Sequence, residues 1–212
     1  MKVQQSNDPA CRTRNELSLA GFLARSTVNG PGMRSVVWVQ GCPLHCCGCF
    51  NKTAWGFSPA WKIHPVELAD HILGLEGVEG LTISGGEPFT QAGPLAILGR
   101  HLKDAGLTII TYSGFSASHL FRKQRPSWNN LLGVTDLLIA GPFIQGIPAV
   151  STLAGSGNQE IIQLTEAISL QEMMNPSSEF VEYTISPEGD LTITGFPSSQ
   201  DMQIRSIRCR GG

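Results

Sequence analysis

The 212-residue chain has no apolar run approaching the ~20 residues that a membrane-spanning helix needs. Its opening, MKVQQSNDPACRTRNE, is polar where a secretory leader would be apolar. Together these absences predict a cytoplasmic protein. No sign of charge dominates: 15 Lys and Arg face 17 Asp and Glu, a net charge of −2, so no global pull toward nucleic acid or anionic membrane is expected. Two local basic clusters, Arg122-Lys123-Arg125 and Arg205-Arg208-Arg210, read as solvated surface. Internal repeats and long low-complexity tracts are missing, and so is a convincing acid–base pair. His64, His71, His101 and His119 are scattered, with helix-surface roles as the default, and His45 reads as a loop residue rather than a ligand.

What is present is enough apolar material, 41% of residues, for a sizeable core in a single domain. SVVWVQG (35–41), GLTISGG (80–86), LTIITYSG (107–114) and DLLIAGPF (136–143) read as strands. HPVELADHILGLEG (64–77), GPLAILGRHLKDAG (93–106) and SASHLFRKQ followed by SWNNLL, broken at Pro126, read as helices between them. The alternation predicts an α/β fold with a parallel sheet and helices packed outside it. About six strands, mostly parallel, make a partial (β/α) barrel rather than the eight of a closed one. Active sites of such folds gather at the carboxyl ends of the strands, so QGC, SGGE, YSGF and AGPF should share one rim. The Gly-, Pro- and Ser-rich run from Gly141 to Gly157 reads as a long loop or lid. Residues 179–196 read as a C-terminal hairpin with Gly189 in its turn, adding an antiparallel edge. The expected organisation is a loose arm at 1–16, a barrel domain at 17–200 and a tail at 201–212.

The six cysteines are clustered rather than spread, which in a reducing compartment favours a metal or redox role over a disulfide framework. Cys42, Cys46 and Cys49 have the spacing C-x3-C-x2-C; Pro43 and Gly48 favour a compact loop in which these thiols converge. Cys47 should point elsewhere, and Cys11 and Cys209 have no partner spacing. Three readings stand on the spacing: a zinc site completed by His45, a Cys46–Cys49 redox pair, and a 4Fe-4S cluster with one iron left open. The next strand ends in TISGGEP (82–88), where adjacent glycines let backbone approach a ligand and its carbonyls meet an ammonium. Trp38 reads as core filler, and Trp55 as loop packing or a neighbour of the site.

C-x3-C-x2-C followed by GGEP resembles the radical S-adenosylmethionine superfamily. VNGPGMRSVVWVQGCPLHCCGCFN (28–51) resembles the opening of the glycyl-radical-enzyme activases. GCFNKTAW, TYSGF, GPFI, GSGNQ and TGFP are similar to the activases of anaerobic ribonucleotide reductase; the likeness runs from about residue 17 to 197. The resemblance implies that Cys42, Cys46 and Cys49 hold three irons of a 4Fe-4S cluster, whose fourth iron binds S-adenosylmethionine. It implies that backbone at Gly85 and Gly86 meets the amino group, that Glu87 supports that turn, that Ser84 and Ser113 face the methionine or ribose part, and that Phe50 packs near adenine. A reduced flavodoxin- or ferredoxin-type donor would supply an electron. Cleavage of the sulfonium would give methionine and a 5′-deoxyadenosyl radical, which takes a hydrogen atom, in the activases from a glycine of a partner glycyl radical enzyme.

Ala140 stands before GPF where those activases usually have Asp, and Ala154 before GSGNQ where they usually have Arg. Both positions fall near the expected lid, where a partner would dock, so the identity of the hydrogen donor is left open. A second reading is modification of a peptide or small molecule. A third, a non-catalytic iron–sulfur or zinc module, leaves SGGEP unexplained.

Overall fold

A computed structural model describes residues 15–58, 61–149, 151–169, 181–185 and 191–195. Cys11, Cys209, Gly189, the second basic cluster, the tail at 201–212 and nearly all of the expected arm lie outside the described residues. Seven strands make the main sheet: β1 (Leu17–Ser26), β2 (Arg34–Val39), β3 (Trp61–Ile63), β4 (Gly80–Gly85), β5 (Thr108–Ser113), β6 (Leu137–Ala140) and β7 (Glu160–Gln163), in the order β3-β1-β2-β4-β5-β6-β7. The central β2, β4, β5 and β6 are parallel. β1, β3 and β7 flank them antiparallel.

The central strands are buried on both faces, which is why they appear in the sequence as near-continuous apolar runs. One face carries Val37, Val39, Leu81, Ile83, Ile109 and Leu138 into a single core with the helices. Those helices are α1 (Pro65–Leu73), α2 (Ala92–Asp104), α3 (Ala117–Lys123) and α4 (Pro126–Leu132). In α2 the buried Leu95, Ala96, Leu98, Gly99 and Leu102 form one stripe, and Gly99 leaves room for Val134. Pro126 starts α4 at its first helical position instead of breaking a longer helix; α3 ends one step earlier on Gln124, held at φ 42°. The opposite face of the sheet lines one cavity from β1 through β2, β4 and β5 to the end of β6, so the sheet curls partway round it. This is the expected partial barrel.

Three strands differ from the sequence reading. β1 and β3 were not anticipated, and the antiparallel edge beyond β6 is β7, not the hairpin. The hairpin strands β8 (Val181–Ile185) and β9 (Leu191–Gly195) form their own two-stranded sheet. It is tied to the start of the fold by polar contacts: Ser26 Oγ donates to Glu182 Oε2 at 2.6 Å, and Asn29 Nδ2 donates to Thr194 Oγ1 at 2.9 Å.

The amino-terminal end of the barrel is closed by Arg34, 1% exposed. Its guanidinium donates to the carbonyls of Pro31, Leu81 and Thr108 and to the hydroxyls of Thr82 and Thr108, at 2.8 to 3.3 Å. Burial pulls its pKa down to about 10, so it stays charged at neutral pH. Gly80 leaves the space the guanidinium fills. Arg34→Met strands those acceptors, and a loss on the order of 3 kcal/mol in denaturant unfolding is expected. Arg34→Lys, with three donors in place of five, should recover only part of it.

Candidate cofactor site

The cysteine loop leaves β2 at Gly41 (φ 95°) and stays non-helical. It is pinned at its base where Gly41 N–H donates to Ala54 O (2.8 Å) and Cys42 N–H to Trp55 O (3.0 Å). Cys49 N–H closes a turn on Cys46 O at 3.1 Å. His45 is held at φ 48° and stacks on Trp55, ring centroids 4.7 Å apart, so Trp55 both packs the loop and borders the cavity. Cys47 is exposed.

The tip of β4 is laced to this loop: Gly86 N–H donates to Val39 O at 2.7 Å and Glu87 N–H to Gly41 O at 2.8 Å. A methyl group on Gly86 would collide with Gly41 O, one on Gly85 (φ 106°) with the backbone of Trp38 and Val39, and one on Gly114 with the Leu44 side chain. The sequence reading assigned the GG pair to ligand approach. The structure adds a nearer cause, that the backbone of β2 fills the space beside Gly85 and the base of the cysteine loop fills the space beside Gly86.

Glu87 is fully buried. Its Oε1 accepts from Phe89 N–H and Ser113 Oγ–H, each at 3.0 Å, and its Oε2 from Gly114 N–H at 2.8 Å. One carboxyl thus joins the ends of β4 and β5. Burial pushes its pKa up to about 7, against the three hydrogen bonds that pull it down. Burial also pushes the Cys42 thiol up. Ser113 Oγ–H donates to Glu87 while its oxygen accepts from Phe115 N–H at 3.1 Å. Phe50 meets Phe143 of the long loop edge to face at 5.7 Å.

Cys42, Cys46, Cys49, Phe50, Ser84, Gly85, Gly86, Glu87 and Ser113 all border one cavity of about 560 Å³. Sequence reasoning missed other walls of it: Asn29, Tyr112, Gln159, Ile193 and Thr194. GSGNQ and TGFP hold Gln159 and Thr194 but gave no hint of their placement. Trp38, expected in the core, faces this cavity and is only half-buried. Gln159 is a brace: its Oε1 accepts from Gly155 N–H (2.7 Å) and its Nε2 donates to Gly141 O (3.0 Å). Ala140 and Ala154 are both buried, Ala140 in the helix-side core, so neither offers surface to a docking partner.

Among the described residues no three His, Cys, Asp or Glu side chains gather closely enough to hold a single metal ion. Three soft thiol ligands bordering one cavity with the β4 tip fit a group with several metal atoms.

Residues 28–162 match the family described as a 4Fe-4S single cluster domain, and the chain belongs to that family. Within it, the chain is similar to the anaerobic ribonucleoside-triphosphate reductase-activating proteins of Vibrio cholerae (32% identity; 65% of this chain, 92% of the relative) and Haemophilus influenzae (31%; 66% and 94%). It is also similar to the pyruvate formate-lyase-activating enzyme of Staphylococcus aureus, 34% identical over 53% of this chain and 47% of that one. Among solved structures, QueE from Escherichia coli matches with a TM-score of 0.39 and 16% identity, covering 53% of this chain and 59% of that one.

Because the folded pKa of Glu87, about 7, exceeds the ordinary 4.5, its protonated form favours folding at low pH. That contribution is lost as pH rises through 7. Stability should fall by roughly 2 kcal/mol more between pH 5 and 7.5 in the wild type than in Glu87→Gln. Urea unfolding of both proteins at the two pH values tests this; equal slopes would refute it.

Proposed function

We propose that this chain is a radical S-adenosylmethionine enzyme that abstracts a hydrogen atom from a glycine of a partner glycyl radical enzyme. The observation that carries this reading is the meeting of three thiols and the GGE strand tip on one cavity. The chain's likeness to reductase-activating proteins over more than nine-tenths of their length supports it. No helix among the described residues is long and apolar enough to cross a membrane; work in the cytoplasm is part of the same proposal.

Cys42, Cys46 and Cys49 would hold the 4Fe-4S cluster, leaving one iron for S-adenosylmethionine. When bound, the pair supplies one-electron cleavage of the sulfonium to methionine and a 5′-deoxyadenosyl radical. The protein's own part is placement and exclusion of water. Gly85 and Gly86 offer backbone to the amino group. Glu87 has both oxygens engaged by protein donors, so it fixes that backbone instead of touching the ligand. Ser84 and Ser113 would border the methionine and ribose portion, Ser113 with its hydroxyl already engaged by Glu87 and Phe115 N–H; Phe50, braced by Phe143, would flank the base. Ile193 and Trp38 wall the cavity against water. A reduced flavodoxin- or ferredoxin-type protein delivers the electron.

Anaerobic reconstitution with iron and sulfide, reduction by dithionite and addition of S-adenosylmethionine should yield 5′-deoxyadenosine in the wild type. Cys46→Ala should fall to background. Adding the cognate partner should produce a glycyl radical by electron paramagnetic resonance. A protein that binds zinc and refuses iron would overturn the reading.

A further inference from the structure

The proposed function leaves the Arg122-Lys123-Arg125 cluster unused, and the structure gives it a setting that the sequence did not. The three side chains are exposed at the junction of α3 and α4, beside Phe121, itself 45% exposed. From Ala105 to Thr135 the chain has no Asp or Glu at all, so this face is cationic in a protein whose net charge is −2. None of the three cations forms a salt bridge among the described residues.

The patch is connected to the cavity wall through one Leu–Gly contact and a cluster of rings. Leu44 of the cysteine loop lies against Gly114, a cavity wall. The next residue, Phe115, stacks on His119 at 5.1 Å and meets Trp128 at 5.3 Å. The guanidinium of Arg125 sits 4.9 Å over the Trp128 ring, at the outer end of the run. A charged face thus stands at one end of a packed aromatic run and the cysteine loop at the other.

We propose that the α3–α4 face is the docking surface for an acidic one-electron donor protein. This rests on the function proposed above, in which one electron must pass from the donor's reduced centre to the cluster, with no bond made or broken in that transfer. Electron-transfer partners bind through small, weak interfaces whose rate of encounter is set by complementary charge. Three exposed cations with no salt bridge among the described residues, next in sequence to an exposed Phe121, suit that task.

Arg122→Glu/Lys123→Glu changes only exposed side chains. Arg122→Gln/Lys123→Gln removes the charge without placing acid at the end of α3, and Arg100→Glu on α2 serves as a control. Each protein is titrated calorimetrically with an acidic bacterial flavodoxin at low and at raised salt, and 5′-deoxyadenosine is measured with dithionite and with reduced flavodoxin. Binding should weaken at least tenfold in the Glu pair, less in the Gln pair and little in Arg100→Glu. Added salt should weaken the wild type most. Dithionite-driven product should be unchanged in all of them, while flavodoxin-driven product falls with binding. Equal affinity of wild type and the Glu pair would overturn the assignment, as would binding of an RNA oligonucleotide at this face with none of flavodoxin. Absence of product with dithionite in the wild type would instead refute the enzymatic reading beneath it.

Discussion

One buried carboxyl holds the rim together. Glu87 takes hydrogen bonds from its own turn and from the start of the next one, while its backbone N–H reaches back to Gly41. Strand tips in a parallel sheet normally diverge into separate loops; here two of them and the cysteine loop become one unit. The cost is a carboxyl with no access to water, and its raised pKa expresses that cost. A shorter Asp could not span the same donors, and an apolar residue would leave three polar groups without partners. The glycines around it follow from the same constraint, because only a chain without Cβ atoms lets these backbones come so close.

The parallel centre of the fold was legible because burial on both faces writes a plain signal: SVVWV, GLTIS, LTIIT and DLLIA are runs that helices of this size would not produce. The antiparallel strands were not. β3 is three residues long, and EIIQ of β7 follows a glycine-rich loop that masks it. β1, LSLAGFLARS, alternates imperfectly because its register shifts against β2. Pro126 was taken as a break where it is a start, since position relative to a cap decides what proline does.

The site was more legible than the fold around it, since cysteine spacing and a GGE turn are local in sequence. The remaining walls are not local. Asn29 and Thr194 are far apart in the chain, and only their hydrogen bond makes them neighbours. Trp38 shows the limit of composition: a large aromatic on a central strand is expected in the core, yet strand alternation turns it to the concave side. Ala140 and Ala154, which raised a question about the partner, turn out to be interior positions.

The long loop that begins at Gly141 returns to its starting point. Ala140 and Glu160 are paired across β6 and β7, and the Gln159 amide clasps both Gly141 and Gly155. Everything between is a detour whose ends are already joined. Doubling such a detour adds only about 0.6 kcal/mol of closure entropy, and its residues contribute little to sheet pairing. The exposed stretch 144–149, next to Phe143 of the cavity wall, is therefore the part of this detour freest to vary over evolutionary time, while Leu153, Ala154 and Ser156 stay buried. Descendants of one ancestral chain could exchange the molecules they admit while inheriting the same chemistry unaltered beneath.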